Sequence, residues 1–140
     1  MTLYILDTNV IADLFRPDTT MQQRIKEARA GGNIFCIAQP VYYETLRGLL
    51  RKKAERKLSI FKRQLIPLFE WTPVIDADWE LAAQYWAEAI SKGKQLSDMD
   101  LLIAAIASRL DATIVSADED FDALPVRREN WRGLTTNDSD

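Results

Sequence analysis

Four acidic side chains occupy positions that a parallel α/β sheet would bring together: Asp7, Glu44, Asp100 and Asp118. Asp7 directly follows an apolar, β-prone stretch at residues 2–6, and Asp118 lies two residues after another such stretch at residues 112–116. Glu44 lies in the first turns of the helix after a third stretch, residues 33–38, and Asp100 begins the helix before residues 112–116. Ligands of such sheets bind outside the carboxyl ends of the strands, so we expect these carboxylates to meet there.

Carboxylates a few ångströms apart repel one another, and at least one pKa rises unless a cation neutralises them. Oxygen ligands alone favour Mg²⁺, for which Mn²⁺ can substitute. One or two such ions would activate water and hold a phosphodiester for in-line attack. The sequence has no histidine and a single cysteine, which excludes Ser-His-Asp and Cys-His hydrolases and His-ligated zinc. Acid-bound metal chemistry is the interpretation that remains.

The elements that must position these acids alternate between β-prone and helical segments. This order favours an α/β domain with a parallel sheet covered by helices on both faces. Strands are predicted at residues 2–6, 33–38 and 112–116, with a short one at 73–75. Helices are predicted at residues 10–15, 19–30, 40–53, 55–65, 78–92 and 98–109, and a turn at 118–121. Pro17 and Asp18 should end the first helix, Gly93 should end the fifth, and Ser97 should cap the sixth.

The composition is that of one ordinary globular domain, with 140 residues, 47% of them hydrophobic and 28% charged. We assign residues 1–134 to this domain and residues 135–140 to a frayed polar tail. The longest apolar run, residues 101–107, is far shorter than the roughly 20 residues that span a membrane. The N-terminus lacks the basic segment of a signal peptide, and the lone Cys36 fits a reducing compartment. We therefore expect a cytoplasmic protein without membrane contact.

Taken together, the motifs resemble those of PIN-domain ribonucleases. The matching segments are Leu6-Asp7-Thr8-Asn9, Glu44 in YYETLRG, Asp100 in DLLIAAIA, and SADEDF at residues 116–121. Each is weak alone, but all four occur in order between residues 3 and 121. The short single domain is most similar to VapC toxins of bacterial toxin–antitoxin pairs. The resemblance implies a sheet of order 3-2-1-4-5 and metal-dependent cleavage of RNA, with transfer RNA as a plausible target. It also implies a homodimer and a cognate antitoxin that blocks the site.

The resemblance also implies a role for each matching residue in a Mg²⁺-dependent endoribonuclease. Asp7, Glu44, Asp100 and Asp118 would be the catalytic acids that hold the metal and position the water. Thr8, Asn9 and Ser116 match supporting positions of the family, and Arg47, Asp98 and Asp120 are further candidates for supporting roles. The fourth motif is one residue shorter than the family's commoner Thr-x-Asn-x-x-Asp-Phe pattern, so Asp120 competes with Asp118 for the place of the fourth acid.

Each of the first two acids also has a purely structural interpretation. Asp7 could simply cap a helix, as could Asn9, for which a substrate contact is the alternative. Glu44 could pair with Arg47 at i+3, and Arg47 would then orient Glu44 or meet a phosphate.

The remaining acids have structural alternatives as well. Ser97 and Asp100 have capping-box spacing, and Asp98 favours the helix dipole. Asp98 and Asp100 would face nearly opposite sides of the helix, so they should not bind the same ion. Asp118 could form an Asx turn.

Positive charge is concentrated in one part of the chain. Residues 24–63 hold 11 basic and 3 acidic residues, whereas the rest holds 7 basic and 18 acidic ones. The residues predicted to contact RNA are Arg47, Arg51, Lys52, Lys53 and Arg56. An RNA backbone along them would bind with salt-dependent affinity, and the alternative is a solvated helix face. Apolar side chains between them could form a groove for a partner helix, and Trp79, Tyr85 and Trp86 are expected in the core or on a dimer surface.

Two other classes of function compete with the nuclease. A binding module with a silent acidic pocket would act through a protein partner and would show no Mg²⁺-dependent turnover. A phosphatase or phosphotransfer domain is disfavoured, because Asn9 rather than an acid stands two residues after Asp7 and no lysine ends a late strand. DNA is an alternative substrate for the same metal chemistry.

Overall fold

Five short segments form a parallel sheet at the centre of the computed structural model, which describes residues 1–16 and 20–133. The strands are β1 (Leu3–Leu6), β2 (Ile34–Ala38), β3 (Glu70–Thr72), β4 (Thr113–Val115) and β5 (Arg127–Glu129). They lie in the order β3-β2-β1-β4-β5, and every neighbouring pair is parallel. The α/β class and the 3-2-1-4-5 order are therefore confirmed. The β1 strand, which carries Asp7 at its end, lies in the middle of the sheet.

The central strands are buried on both faces. Successive side chains of a strand point to opposite faces, yet the neighbours Ile5 and Leu6 are both fully buried, as are Ile114 and Val115. Helices must therefore cover both faces, as predicted for a parallel sheet.

Within the described residues, six α-helices flank the sheet: α1 (Thr8–Leu14), α2 (Thr20–Ala30), α3 (Gln39–Arg51), α4 (Glu55–Ile60), α5 (Asp76–Ser91) and α6 (Asp98–Leu110). The helix predicted at residues 55–65 is α-helical only to Ile60. It continues as a π-helical turn, Phe61–Leu65, which places Phe61 in the core against Tyr42 at 5.5 Å between ring centroids. The predicted turn at 118–121 is a short 3₁₀ helix, Glu119–Ala123.

The two edge strands differ from the sequence prediction. The strand predicted at residues 73–75 is wrong, because β3 ends at Thr72 and the next residue is Pro73, which has no N–H to donate to a ladder. The β5 strand was not recognised from the sequence at all, since Arg-Arg-Glu has no apolar face. Charged side chains of this kind are typical of sheet edges.

The ends of several helices follow their predicted signals. Ser97 caps α6 by accepting a hydrogen bond from the Asp100 N–H at 3.2 Å, and Gly93 follows the end of α5 with a φ of 74°. Pro17, Asp18 and the predicted first residue of α2, Thr19, lie outside the described residues, as does the predicted tail at 135–140. In the part of the chain that the structure describes, none of the helices is long and apolar enough to cross a membrane.

Of the three aromatic residues of α5, one lies in the core and two lie on the surface. Tyr85 is buried, and its hydroxyl lies 2.6 Å from Ser108 Oγ on α6. Trp79 and Trp86 are about half exposed and line a surface pocket together with Asp98. Tyr85 is thus a core residue, whereas the two tryptophans remain on the surface.

Candidate metal centre and its surroundings

Three of the four predicted acids meet at the carboxyl edge of the sheet. Asp7 follows β1, Glu44 lies on α3, and Asp100 lies in the first turn of α6. One carboxylate oxygen from each lies within 4.8 Å of the other two. Residues that are 37 and 56 positions apart in the chain are therefore brought together by the sheet and by the helices that enter at its edge.

Asp7 is held rigidly at this position. Its N–H donates to the carbonyl of Val115 on β4, and its side chain accepts from the Thr8 N–H at 2.8 Å, so Asp7 is the N-cap of α1. Its other carboxylate oxygen, Oδ2, accepts from Ser116 Oγ at 2.7 Å and Asn9 Nδ2 at 3.1 Å. Helix capping and membership of the acid cluster are thus compatible for this residue.

Asn9 and Ser116 link the segments that follow the first and fourth strands, next to Asp7. Asn9 Nδ2 also donates to Ser116 Oγ at 3.1 Å, and Asn9 Oδ1 accepts from the Ala117 N–H at 3.2 Å. Ser116 is fully buried and also accepts from the Asp118 N–H. The cap interpretation of Asn9 is wrong, because Asn9 is the second residue of α1 and its side chain binds Asp7 instead.

Glu44 is oriented from both sides. Thr8 Oγ1 donates to its Oε1 at 3.1 Å, and an Nη atom of Arg47 lies 3.6 Å from its Oε2. The i+3 pair predicted from the sequence is therefore present. Arg47 is 56% exposed and also lies over the ring of Tyr43 at 5.0 Å, so its guanidinium borders both the cluster and solvent.

Asp98 and Asp120 lie apart from the three clustered acids. Asp98 is exposed and faces the tryptophan pocket of α5, while Asp100 turns toward Asp7. Asp120 is exposed, whereas Asp118 is half-buried and its charge raises the pKa of both Asp7 and Asp100. Asp118 also accepts from the Asp120 N–H at 2.9 Å, which is the predicted Asx interaction.

The pKa values of all three clustered acids are raised. Burial, followed by the charges of Asp7, Asp118 and Glu44, raises the pKa of Asp100 to about 7. Burial also raises the pKa of Asp7, partly offset by its hydrogen bonds from Ser116 and Thr8. Burial is likewise the main cause of a raised pKa for Glu44. Negative charge is thus crowded among carboxylates that are partly shielded from solvent.

These residues fit a divalent cation. Three oxygen ligands lie close enough to share one ion, and a hard cation such as Mg²⁺ prefers oxygen ligands. Bound positive charge would also remove the repulsion that raises the carboxylate pKa values.

Two of the predicted RNA-contact residues lie near this centre, since Arg47 pairs with Glu44 and Lys52 lines a groove that reaches it. Arg51, Lys52, Lys53 and Arg56 are all exposed on the end of α3 and the start of α4. Lys52 lines a groove that also contains Thr8 and Glu44. Lys57, another basic residue of the same region, lines the same groove.

Sequence reasoning missed one positioning interaction near the site. Asp13 on α1 is largely buried, and both of its carboxylate oxygens accept from Arg132, at 2.9 and 3.0 Å. Arg132 also donates to the carbonyl of Asn9 at 3.2 Å. This arginine therefore fixes the helix that Asp7 caps, and the only signal in the sequence would have been an acid at a core-facing position of α1.

A parallel sheet in this order, with an acid cluster at its carboxyl edge, defines the class of protein. The chain belongs to the PIN domain family, whose model matches residues 4–126.

Several solved structures are similar to the chain over most of its length. VapBC2 from Rickettsia felis, solved with a DNA fragment from the promoter, is 23% identical with a TM-score of 0.83, over 93% of this chain and 99% of that one. FitAcB from Neisseria gonorrhoeae is 26% identical with a TM-score of 0.76, over 94% and 99%. VapC20 from Mycobacterium tuberculosis, described as a sarcin-ricin loop cleaving toxin, is 17% identical with a TM-score of 0.64, over 88% and 95%. The comparison with curated proteins finds no match.

Proposed function

We propose that this protein is a Mg²⁺-dependent endoribonuclease and the toxin of a toxin–antitoxin pair. The observation that carries the proposal is the cluster of Asp7, Glu44 and Asp100, whose oxygens lie within 4.8 Å of one another at the carboxyl edge of the sheet. The similarity to VapBC2 and FitAcB supports a toxin with a cognate antitoxin as partner.

The three clustered acids would hold the ion, with Asp118 as the fourth acid at the rim. A bound Mg²⁺, or Mn²⁺ in its place, supplies activation of water and neutralisation of phosphate charge. Ser116 and Asn9 fix the orientation of the Asp7 carboxylate, and Thr8 fixes that of the Glu44 carboxylate. Arg47, beside Glu44 and exposed, is placed to meet a phosphate of the substrate.

RNA is the substrate that the surroundings of the cluster favour. The exposed basic residues of α3 and α4 offer a path for a phosphate backbone, whose binding should weaken as salt rises. VapC20, which shares the fold, is named for cleavage of an RNA loop. Attack by water rather than by the ribose 2′-hydroxyl would leave a 5′-phosphate and a 3′-hydroxyl. We further propose that residues 1–134 form the nuclease domain, that it acts as a homodimer, and that it works on RNA in the cytoplasm.

The proposal is tested by incubating the purified protein with total RNA and with DNA, with Mg²⁺ or EDTA, and mapping the cut ends. We expect RNA-specific cleavage that requires Mg²⁺ and is abolished by Asp7→Asn. Glu80→Gln is the matched control, because Glu80 is an exposed acid on α5 outside the cluster. Equal cleavage by Asp7→Asn and wild type would show that Asp7 is not part of the metal site. RNA loss that is insensitive to EDTA would overturn the metal mechanism.

A further inference from the structure

A groove runs from the acid cluster between α1 and the hairpin of α3 and α4. Its volume is about 210 Å³, and its lining includes Thr8 and Glu44 at the cluster and Lys52 and Lys57 beyond it. Glu44 and Lys52 are eight residues apart along α3, which corresponds to about 12 Å at the rise of an α-helix. The groove therefore connects the proposed cleavage site with two cationic side chains.

Gly48 lines this groove in the interior of α3, where glycine is unfavourable. A glycine inside a helix costs about 1 kcal/mol relative to alanine, and no left-handed backbone requires it here. Packing does not require it either, because a Cβ built at Gly48 meets no heavy atom within 4 Å. The missing side chain leaves this part of the groove open.

The rest of the lining combines free positive charge with an aromatic wall. Within residues 1–16 and 20–133, neither Lys52 nor Lys57 makes an ion pair with an acid, although both are exposed. The Lys57 ammonium lies 6.0 Å from the centre of the Phe15 ring, which also lines the groove. Thr45 contributes a hydroxyl that is buried without a hydrogen-bond partner among the described residues. Free cations and an aromatic ring are groups that bind phosphate and base in single-stranded RNA.

We propose that this groove is a nucleotide subsite, which holds the nucleotide next to the cleaved bond of a single-stranded RNA substrate. Lys52 and Lys57 bind its phosphate, the base or ribose lies against Phe15 over Gly48, and Glu44 marks the end nearest the metal. This inference rests on the proposed nuclease function and adds to it the residues that hold the neighbouring nucleotide.

The decisive variant is Gly48→Ala, because it changes the groove without disturbing the packing of α3. Alanine fits α3 without a clash and should raise the melting temperature, whereas its methyl group narrows the groove. We expect the KM for a short single-stranded RNA to rise about tenfold, which is the size of effect given by the loss of one stacked base. The kcat should change little, because a Cβ at Gly48 meets no side-chain atom of the acids within 4 Å.

Lysine variants provide an independent measurement that does not depend on Gly48. Binding of a fluorescent RNA oligonucleotide is measured by anisotropy against salt, without Mg²⁺ so that the RNA stays intact. Lys52→Ala and Lys57→Ala should each lower the slope of log K against log salt by about 0.7, the value for one lost contact to a single strand. Lys62→Ala is the matched control, since Lys62 is an exposed lysine outside the groove.

The outcomes separate this inference from the proposed function. Wild type without Mg²⁺-dependent RNA cleavage would refute the nuclease and the subsite together. Wild-type cleavage with an unchanged KM in Gly48→Ala, and equal salt slopes in the three lysine variants, would refute the subsite alone. The same holds if Gly48→Ala weakens binding of the antitoxin but not of RNA, because the groove would then be a protein-docking site.

Discussion

Replacing Asp100 by asparagine should stabilise the metal-free protein, although it removes a proposed metal ligand. Asparagine keeps the shape of the side chain but cannot ionise, so the cost of burying a charge disappears, and with it the repulsion from Asp7, Asp118 and Glu44. The pKa of Asp100 rises from the ordinary value of 3.8 to about 7. At about 1.36 kcal/mol per pKa unit this corresponds to roughly 4 kcal/mol as an upper limit. Asp100 is only half-buried and solvent screens its charge, so we expect a gain of about 1–2 kcal/mol.

The gain must depend on pH in a defined direction. Between pH 3.8 and about 7 the folded protein binds the Asp100 proton more tightly than the unfolded chain does. In this window the free energy of unfolding of wild type therefore falls as the pH rises. Wild type and Asp100→Asn should be about equally stable near pH 4 and should differ fully above pH 7.

Urea unfolding followed by tryptophan fluorescence, in EDTA at pH 4 and pH 8, measures the difference. Asp98→Asn is the matched control, because Asp98 lies in the same first turn of α6 but is exposed and outside the cluster. Addition of Mg²⁺ at pH 8 should stabilise wild type and the control more than Asp100→Asn. The reasoning is refuted if Asp100→Asn gives no stability advantage at pH 8, or the same advantage at both pH values.

Two further substitutions test the positions of buried polar groups. Ser116→Ala removes the 2.7 Å hydrogen bond to Asp7, so we expect a loss of about 1 kcal/mol in urea unfolding and slower Mg²⁺-dependent RNA cleavage; unchanged cleavage would contradict a positioning role. The second substitution is Arg109→Met. The carboxylate of Asp78 is 1% exposed and accepts hydrogen bonds from Arg109 at 2.8 and 3.0 Å, so this substitution removes the cation that pairs with a buried charge. We expect a loss of about 3–5 kcal/mol in urea unfolding, whereas the exposed pair of Lys92 and Glu88, broken by Lys92→Met, should cost less than 1 kcal/mol.

The sequence by itself located the acids of the candidate site and most of the elements that carry them. Apolar stretches that stop at an acid, as at residues 2–7, indicate buried strands whose ends bear polar groups. The absence of histidine excluded the main rival chemistries. The order of the strands, however, came from the resemblance to PIN domains, because periodicity indicates which segments are strands but not which of them are neighbours.

The tertiary structure alone decided the remaining features. β5 pairs through its backbone, so its charged side chains gave no strand signal, and the Asp78–Arg109 pair joins residues 31 positions apart. Asn9 looked like a helix cap, but the proximity of Ser116 turns its side chain toward Asp7. The distances between the clustered acids, and the pKa shifts that these acids cause in one another, likewise depend on residues from several separate segments. Local sequence encodes propensity and burial, whereas contacts between distant residues exist only once the sheet has brought their segments together.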